Sequence, residues 1–424
     1  MIDKLKILHI MPHLGGGVGK ALTSLIEGAR GSNYVHSILL LENPAKKQFV
    51  NKIIALGADI HISSASHSDD KLILDADIIQ LEWWNHPAIF KFFCERALPE
   101  IRLIVWCHIS GLHTPIIPIK LVKSALYFLF TSGTSFKAKN IASMDNKSLL
   151  KLAVVSSGVG FLQRKGIKRV KNSDLNFGYM GSLNLSKLHP DIIDYLAKVP
   201  LNNFQLKIWG DDFYKDKLVS QCNDIGMPDL IDFKGYTTEP DKVLSSLDVF
   251  IYLLNPNHYG TAENVLLEAM SLGVIPIVLN NPAEMEIVKH GETGFIISNP
   301  AEFAAVIDYL VKNSDDRKRI SQNAVTQIAE KYSPEIMSQR MSYFYQQAIS
   351  KPKLTIDFRH SLGKTPYEWY LACQENKYDT SCKNKYYIKN IDLEESKGSL
   401  KHFLNYFPTD IRLNNLFKQF TLEI

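Results

Sequence analysis

Two polar side chains, Asn264 and Glu268, are spaced so that they can act together on one ligand. The segment from Gly260 to Gly273 predicts a short loop, a helix that begins near Ala262 and a glycine at the helix end, because apolar residues recur at helical spacing. Residues four apart share a helix face, so the amide and the carboxylate project together beside the helix start. Free amides at a helix start attract anions, and a nearby carboxylate can accept hydrogen bonds from a sugar diol. The arrangement suits a diphosphate joined to a ribose.

The same spacing also fits an amphipathic helix that binds nothing, in which Glu263 complements the helix dipole and Glu268 is solvated. The order Glu-Ala-Met, a small residue, Leu-Gly and a proline-bearing apolar strand nevertheless resembles the nucleotide-binding helix of family 4 retaining glycosyltransferases, which have the GT-B fold. In that family the second glutamate of an E-x7-E motif binds the donor ribose, and it matches Glu268. The first glutamate of that motif corresponds to position 260, where this chain has a glycine. The resemblance implies donor contacts by the following residues: Gly260, Thr261, Ala262, Glu263, Asn264, Val265 and Glu268.

A glycine-rich run from His13 to Lys20 follows the first predicted strand and precedes a predicted helix. Strand, glycine loop and helix in this order are typical of a Rossmann-like unit. The run is not a P-loop, because Ala21 stands where a serine or threonine would hold magnesium, and it is not a good dinucleotide fingerprint. The family resemblance assigns Gly16 and Gly17 to a loop along which the substrate approaches the backbone. A simple tight turn is the alternative.

Polar residues also follow two later strands. His108 comes directly after the run 102–107, and an aromatic and polar cluster, Glu82 to His86, ends the preceding strand. Open parallel sheets bind ligands outside the carboxyl ends of their strands. The family has a histidine that contacts the donor sugar at the position of His108, whereas His13 and His113 are weaker candidates. A purely structural histidine is the alternative.

The second half of the chain carries a candidate diphosphate site. The segment that starts at Gly181 resembles the family's Gly-Arg-Leu…Lys-Gly segment, in which arginine and lysine bind the donor diphosphate. Gly181 and Lys187 match, and Ser182 stands at the arginine position, so the resemblance implies that Lys187 carries the charge. An unpaired surface lysine is the alternative. Gly210 and Tyr236 end two further strands, and the family residue at Tyr236 frames the nucleobase.

Two sheets must position these residues. Continuous apolar runs that alternate with amphipathic segments predict parallel sheets covered on both faces. We predict strands at 4–12, 34–41, 59–62, 77–83, 102–107, 127–131 and 153–156 in the first half, and at 175–181, 206–211, 231–236, 247–254 and 274–278 in the second. Helices are predicted from Glu302 to about Ala348, and Gly294-Phe295 is predicted as a turn. The pair Asp75 and Asp77 leads into a strand instead of following one, so we reject it as a metal site.

A chain of 424 residues suggests two domains and an appendage. The resemblance implies an α/β protein of GT-B fold, with two Rossmann-like doubly wound domains, an interdomain cleft and a mostly helical C-terminal extension. The predicted parts are an acceptor domain at 1–162, a donor domain at 175–333, a helix at 334–350 that crosses back to the first domain, and an extension at 351–424. Residues 163–174 are predicted to link the domains. The extension is rich in aromatic residues, which predicts a packed cap, with an acceptor or partner platform as the alternative.

Composition narrows the class of protein. Apolar residues make up 46% and charged residues 22% of the chain, as in globular proteins, and the net charge of +4 gives no argument for nucleic acid. The five cysteines are scattered without a C-x-x-C pair, which suits reduced thiols in the cytoplasm. We expect neither a signal peptide nor a membrane span, because the first strand begins almost at once and no apolar run reaches about 18 residues.

The resemblance implies transfer of a sugar from a nucleotide donor, a UDP-sugar, to an acceptor with retention of configuration and without a metal or other cofactor. His108, Lys187 and Glu268 are the predicted catalytic residues. The acceptor would be a carbohydrate, a lipid-linked molecule or a protein, in a cytoplasmic enzyme of bacterial polysaccharide synthesis that can contact the inner face of the membrane. The oligomeric state stays open. The alternatives are another GT-B activity such as sugar-nucleotide epimerisation, and a degenerate, non-catalytic sugar-nucleotide-binding subunit.

Overall fold

The computed structural model of the protein describes residues 4–45, 47–64, 67–159, 175–201, 204–261, 263–374 and 398–422. The chain forms two compact units. Unit 1 comprises Met1–Ser157 and Pro334–Ile424, and unit 2 comprises Gly158–Ser333. The predicted linker, 163–174, and Ala262 lie outside the described residues.

Unit 1 is built on a sheet of seven parallel strands. Their bounds are β1 Leu5–Met11, β2 Tyr34–Leu40, β3 Asp59–Ile62, β4 Ile78–Trp83, β5 Leu103–Cys107, β6 Tyr127–Phe130 and β7 Leu152–Val154. They lie in the order β3-β2-β1-β4-β5-β6-β7. Every residue of β4 and β5 is buried, as expected of parallel strands that are covered on both faces. Within β4 the only polar residues are Gln80 and Glu82.

Twelve α-helices of unit 1 are described. They are α1 Gly16–Gly28, α2 Gln48–Ala55, α3 His67–Asp75, α4 Pro87–Cys94, α5 Ile119–Ser124, α6 Lys139–Ala142, α7 Asn146–Leu149, α15 Pro334–Ile349, α16 Phe358–Leu362, α17 Pro366–Ala372, α18 Leu400–Tyr406 and α19 Ile411–Leu422. Helix α15 packs on α1. The two backbones approach so closely that a Cβ added to Gly28 would lie 2.2 Å from the carbonyl oxygen of Pro334. Glycine at this position therefore allows the contact.

Unit 2 is built on a sheet of six parallel strands. Their bounds are β8 Phe177–Met180, β9 Leu206–Trp209, β10 Ile231–Gly235, β11 Val249–Tyr252, β12 Ile275–Leu279 and β13 Phe295–Ile297. They lie in the order β10-β9-β8-β11-β12-β13. The described helices are α8 Ile192–Leu196, α9 Lys215–Asp224, α10 Pro240–Ser245, α11 Asn264–Ser271, α12 Pro282–Ile287, α13 Pro300–Lys312 and α14 Ser314–Lys331. The sequence pattern missed β13, which was predicted as a turn at Gly294-Phe295, because the strand has only three residues.

The described part of the C-terminal extension packs on unit 1. Helices α16, α17 and α18 contact α4, and α16 also contacts α5. Aromatic rings form this contact: Phe358 lies 4.4 Å from Phe93, and Trp369 lies 5.0 Å from Phe90, between ring centroids. The extension is therefore folded and helical where it is described, as its aromatic content predicts.

The prediction of two Rossmann-like α/β sheets with a helical C-terminal part is confirmed. No helix within the described ranges combines the length and apolarity that crossing a lipid bilayer requires.

Candidate functional site

The candidate site of unit 2 lies where the order of its strands reverses. Strands β8 and β11 are neighbours, although β9 and β10 come between them in the chain. Open α/β sheets bind ligands outside the carboxyl ends of the strands at such a point. The loops after β8 and β11 meet there, because Asn255 donates its backbone N–H to the carbonyl of Lys187 at 2.8 Å. A bridge between Leu188 and Leu254 adds to this contact. The β8 loop thus holds Lys187 beside the loop that leads into α11.

Lys187 forms an ion pair with Glu263. The ammonium nitrogen lies 3.3 Å from Oε2 of Glu263 and 5.5 Å from the centre of the Tyr252 ring. The Tyr252 hydroxyl donates a short hydrogen bond to the same carboxylate oxygen. The Glu263 side chain is 4% exposed and that of Lys187 is 28% exposed. The alternative of an unpaired surface lysine is therefore wrong.

Both members of this pair are held in their charged forms. Burial disfavours a charged carboxylate, but the Lys187 ammonium and the hydrogen bonds outweigh it and lower the pKa of Glu263. Burial likewise disfavours the ammonium, but the Glu263 carboxylate outweighs it and raises the pKa of Lys187. The site therefore holds a fixed cation with a carboxylate beside it.

Glu263 has an unusual backbone conformation. It is the only non-glycine residue in the described ranges with a positive φ, of 36°, and it immediately precedes α11. This left-handed conformation is rare for a residue with a side chain and marks a constrained position. A Cβ added to Gly260 would lie only 1.8 Å from Oε1 of Glu263. The Glu263 carboxylate thus occupies the space where a side chain at position 260 would begin.

Helix α11 carries the two side chains predicted to act together. It begins at Asn264, two residues later than predicted, and its last residue is Ser271. Gly273 follows two residues later, and its φ of +74° suits a glycine after a helix. Asn264 is half-buried, whereas Glu268 is only 3% exposed. The alternative of a solvated Glu268 is therefore wrong. Thr261 is buried, and Val265 is half-buried against the core.

The glycines after β8 and β9 lie side by side. A Cβ added to Gly210 would lie 2.2 Å from the carbonyl oxygen of Gly181, so only glycine fits there without a shift. Ser182, which stands where the family has an arginine, is exposed. Tyr236, after β10, is 59% exposed. These residues all follow the carboxyl ends of neighbouring strands, as predicted.

Sequence reasoning missed His258 and Glu284, which lie beside Glu263. His258 accepts the backbone N–H of Gly260 at Nδ1, at 3.0 Å, and its Nε2 lies 3.1 Å from the fully buried Glu284. The available signal was a histidine in the loop after a strand, the feature that drew attention to His108. Ligand atoms of His258, Glu263 and Glu284 lie within 4.8 Å of one another, a spacing that a cation could bridge.

A metal ion fits these three side chains poorly. The Lys187 ammonium already lies against Glu263 and would repel a second cation there. His258 uses its Nδ1 lone pair for Gly260, so its Nε2 carries the proton in the neutral ring and has no lone pair for a metal.

Unit 1 places the other predicted residues at the carboxyl ends of its own strands. Gly16 and Gly17 are exposed and form the first turn of α1, so they belong to the helix and not to a loop before it. His108 follows β5, and its Nε2 lies 2.8 Å from Oε2 of the buried Glu82. His13 accepts the backbone N–H of Gly15 at Nδ1. His113 is half-buried in the loop after β5.

The two parallel sheets and their helices have the GT-B architecture, which solved glycosyltransferases share. A glycosyltransferase from Rickettsia africae superposes with a TM-score of 0.64 at 14% identity, covering 82% of this chain and 100% of the other. Anabaena Alr3699/HepE, solved with UDP and glucose, has a TM-score of 0.62 at 17% identity, covering 81% and 100%. At these identities the likeness establishes the fold.

Within that class, residues 163–327 match the family model of glycosyl transferases group 1. Similar curated proteins are the capsular polysaccharide biosynthesis glycosyltransferase CapM of Staphylococcus aureus, 27% identical over 119 residues, and the lipopolysaccharide core biosynthesis glycosyltransferase LpsE of Rhizobium meliloti, 23% identical over 163 residues. These matches cover 27% and 38% of this chain, and 30% and 46% of the relatives' own lengths. The chain thus spans less than half the length of these relatives.

Proposed function

We propose that the protein is a glycosyltransferase that moves a sugar from a UDP-sugar to an acceptor. The observation that carries the proposal is the ion pair between the half-buried Lys187 and the buried Glu263 at the reversal point of the unit 2 sheet. This pair lies inside the region that matches glycosyl transferases group 1. Ligands of open α/β sheets bind at this point, and a held ammonium suits a diphosphate.

Each residue has a role in this proposal. Lys187 and the backbone amides at the start of α11 stabilise the charge that grows on the departing diphosphate. Glu268 accepts hydrogen bonds from the ribose, and Tyr236 frames the base. Transfer proceeds with retention, at one face of the sugar, as in family 4, and needs no metal or other cofactor, because Lys187 supplies the positive charge.

Glu263 supports an active enzyme over a degenerate binding subunit. The resemblance assigns a glutamate to position 260, where this chain has glycine. Because Oε1 of Glu263 reaches the space where that side chain would begin, Glu263 can supply the carboxylate from three residues further along the chain. In this reading Gly260 is a glycine because the Glu263 carboxylate needs its space.

The proposal is tested with UDP, GDP, UDP-glucose, UDP-galactose and GDP-mannose in titration calorimetry and thermal shift, each with and without EDTA. Ligands that bind the folded protein raise its unfolding temperature by mass action. We expect the uridine nucleotides to bind and EDTA to have no effect. Binding of the guanosine nucleotides alone would contradict the UDP assignment, and loss of binding in EDTA would contradict the metal-independent site.

Glu268→Gln is expected to lower kcat/KM for the donor about ten- to a hundredfold, because hydrogen bonds to a charged acceptor are worth roughly 1.5–3 kcal/mol. The fold should be kept, since the two side chains have nearly the same size. Steady-state kinetics and circular dichroism measure the two effects. Unchanged kinetics in the folded variant would exclude the ribose contact.

The alternatives predict different products. A sugar-nucleotide epimerase would isomerise the UDP-sugar without releasing UDP, and a non-catalytic subunit would bind it with neither transfer nor hydrolysis. The polysaccharide roles named for the relatives suggest a carbohydrate or lipid-linked acceptor in bacterial surface polysaccharide synthesis, at the cytoplasmic face of the membrane. Release of UDP that depends on such an acceptor would distinguish the transferase.

A further inference from the structure

Four buried side chains form a continuous row of hydrogen bonds across the sheet of unit 1. His36 lies on β2, His9 on β1 and Glu82 on β4, and His108 directly follows β5. Nδ1 of His36 lies 2.9 Å from Nε2 of His9, and Nδ1 of His9 lies 3.0 Å from Oε1 of Glu82. The other carboxylate oxygen of Glu82 lies 2.8 Å from Nε2 of His108. This row of hydrogen bonds thus connects the interior of the sheet to its carboxyl edge.

The direction of each hydrogen bond to Glu82 follows from the charge of its carboxylate. Burial disfavours its charge, but hydrogen bonds from His108 and His9 outweigh burial and lower the pKa of Glu82. An ionised carboxylate only accepts hydrogen bonds, so every partner must donate to it. His108 therefore donates from Nε2, His9 from Nδ1 and Gln80 from its amide nitrogen, at 2.6 Å. The Gln80 oxygen in turn accepts the Tyr345 hydroxyl at 2.5 Å, which fixes the orientation of this amide.

For the neutral ring of His108 the consequence is a defined tautomer. A neutral imidazole with its proton on Nε2 has its lone pair on Nδ1. The His108 side chain is 6% exposed, and Nδ1 is the ring nitrogen that Glu82 does not engage. We propose that Glu82 is a positioning residue that holds His108 in the Nε2–H tautomer, which leaves the Nδ1 lone pair for the donor-sugar contact that the family resemblance assigns to His108. The substrate half of this inference rests on the proposed function, whereas the tautomer half does not.

Glu82→Gln gives a sharp test, because the surroundings dictate how the new amide must lie. The Oε1 position receives two donors, from Gln80 and His9, so the amide oxygen must take that position. The amide NH₂ group then faces Nε2 of His108. His108 must accept this hydrogen bond at Nε2 and carry its proton on Nδ1. The variant therefore reverses the tautomer of His108 with almost no change in side-chain size.

The tautomers are read from long-range ¹H–¹⁵N correlation spectra of the full chain labelled with ¹⁵N-histidine, without ligand, near pH 7.5. The His108 signals are identified by their loss in His108→Gln. We expect protonated Nε2 and bare Nδ1 in the wild type, and the reverse in Glu82→Gln. Gln80→Met is the matched control in the same strand: it removes one donor from Glu82, leaves the Glu82–His108 contact, and should keep the wild-type tautomer.

A wild-type His108 with its proton on Nδ1 would overturn the inference, and so would a folded Glu82→Gln variant with an unchanged tautomer. If Glu82→Gln does not fold, the wild-type spectrum alone decides.

The contact between His108 and the sugar is tested by kinetics. The kcat/KM for UDP-glucose and UDP-N-acetylglucosamine should fall about tenfold in both His108→Gln and Glu82→Gln. Normal turnover with a reversed tautomer contradicts the hydroxyl contact. A wild type without any turnover contradicts the proposed function and the substrate half with it, while the spectra still decide the tautomer.

Discussion

Lys187→Met is expected to lower the free energy of unfolding by about 2–3 kcal/mol and to reduce turnover at least about a hundredfold. The variant leaves the Glu263 carboxylate, which is 4% exposed, without its cation. Removing one partner of a buried ion pair typically costs more than the pair contributes, because an uncompensated charge stays behind. We place the loss below the range for fully buried pairs, since the Lys187 side chain is 28% exposed. Urea unfolding and steady-state kinetics measure the two effects.

A second substitution separates the loss of stability from the loss of turnover. In Lys187→Met/Glu263→Gln no charge remains unpaired, so most of the stability should return while turnover stays low. Lys207→Met is the matched control, because Lys207 lies in the same sheet and its ammonium donates to a neutral partner, the Asn176 side-chain oxygen, at 2.7 Å. This control should cost less than about 1 kcal/mol. Equal losses in Lys187→Met and Lys207→Met would contradict the importance of the ion pair.

The cost of Lys187→Met should also depend on pH. The pKa of Glu263 lies below its usual value of 4.5 in the folded wild type, so its contribution to stability is present above pH 4.5 and is lost as the pH falls through the folded pKa. The pKa of Lys187 lies above its usual value of 10.5, so its contribution is complete below pH 10.5 and is lost above the folded pKa.

In the variant, burial without a cation should instead raise the pKa of Glu263, and acid should then relieve the unpaired charge. The difference in unfolding free energy between wild type and variant should therefore be largest between about pH 6 and pH 10, and shrink below about pH 5. A difference that does not change over this range would exclude an uncompensated carboxylate as its cause.

Most strands could be predicted from the sequence because the burial of a parallel strand on both faces leaves a continuous apolar run. Strand β3 was predicted at its observed residues, 59–62, and β5 differs from its prediction by one residue at the start. The strand at Phe295–Ile297 is too short for such a run to stand out from the turn before it. Helix α11 was predicted from its apolar spacing, but its first residue depends on the backbone of Glu263, which local propensity does not reveal.

The polar contacts of the two sites could be predicted only in part. The family resemblance singles out Lys187 and Glu268, because their positions relative to glycines and strands match the family's motifs. The Glu263 side chain reaches Gly260 because the backbone of Glu263 is left-handed, and no local sequence pattern predicts that conformation. A charged residue inside the buried strand β4 was the available sign of a polar network at Glu82. Its partners lie on other strands and become apparent only when the sheet order is known.

Trp369→Ala is expected to lower the free energy of unfolding by about 3–5 kcal/mol. Trp369, on α17, is fully buried, and its indole N–H donates to the side-chain oxygen of Asn85 at 2.7 Å. Truncation leaves a cavity beside Phe90 and removes the partner of a buried polar atom. Trp369→Phe should cost less, since it keeps a ring. Ile411→Ala is the control in the same extension: Ile411 is 74% exposed, so its loss should be within about 0.5 kcal/mol.

Removal of the whole extension, residues 351–424, tests the same role on a larger scale. The described part of the extension covers apolar surface of α4 and α5, so its removal should lower solubility and the unfolding temperature. Sedimentation and thermal unfolding measure both effects. If the extension were instead a platform for the acceptor, the shortened protein would stay folded, bind UDP and lose only transfer to its acceptor. A soluble and fully active shortened chain would contradict both roles. The buried Trp369 contact with Asn85 favours the cap, because a surface reserved for a partner does not need to fill the protein's own core.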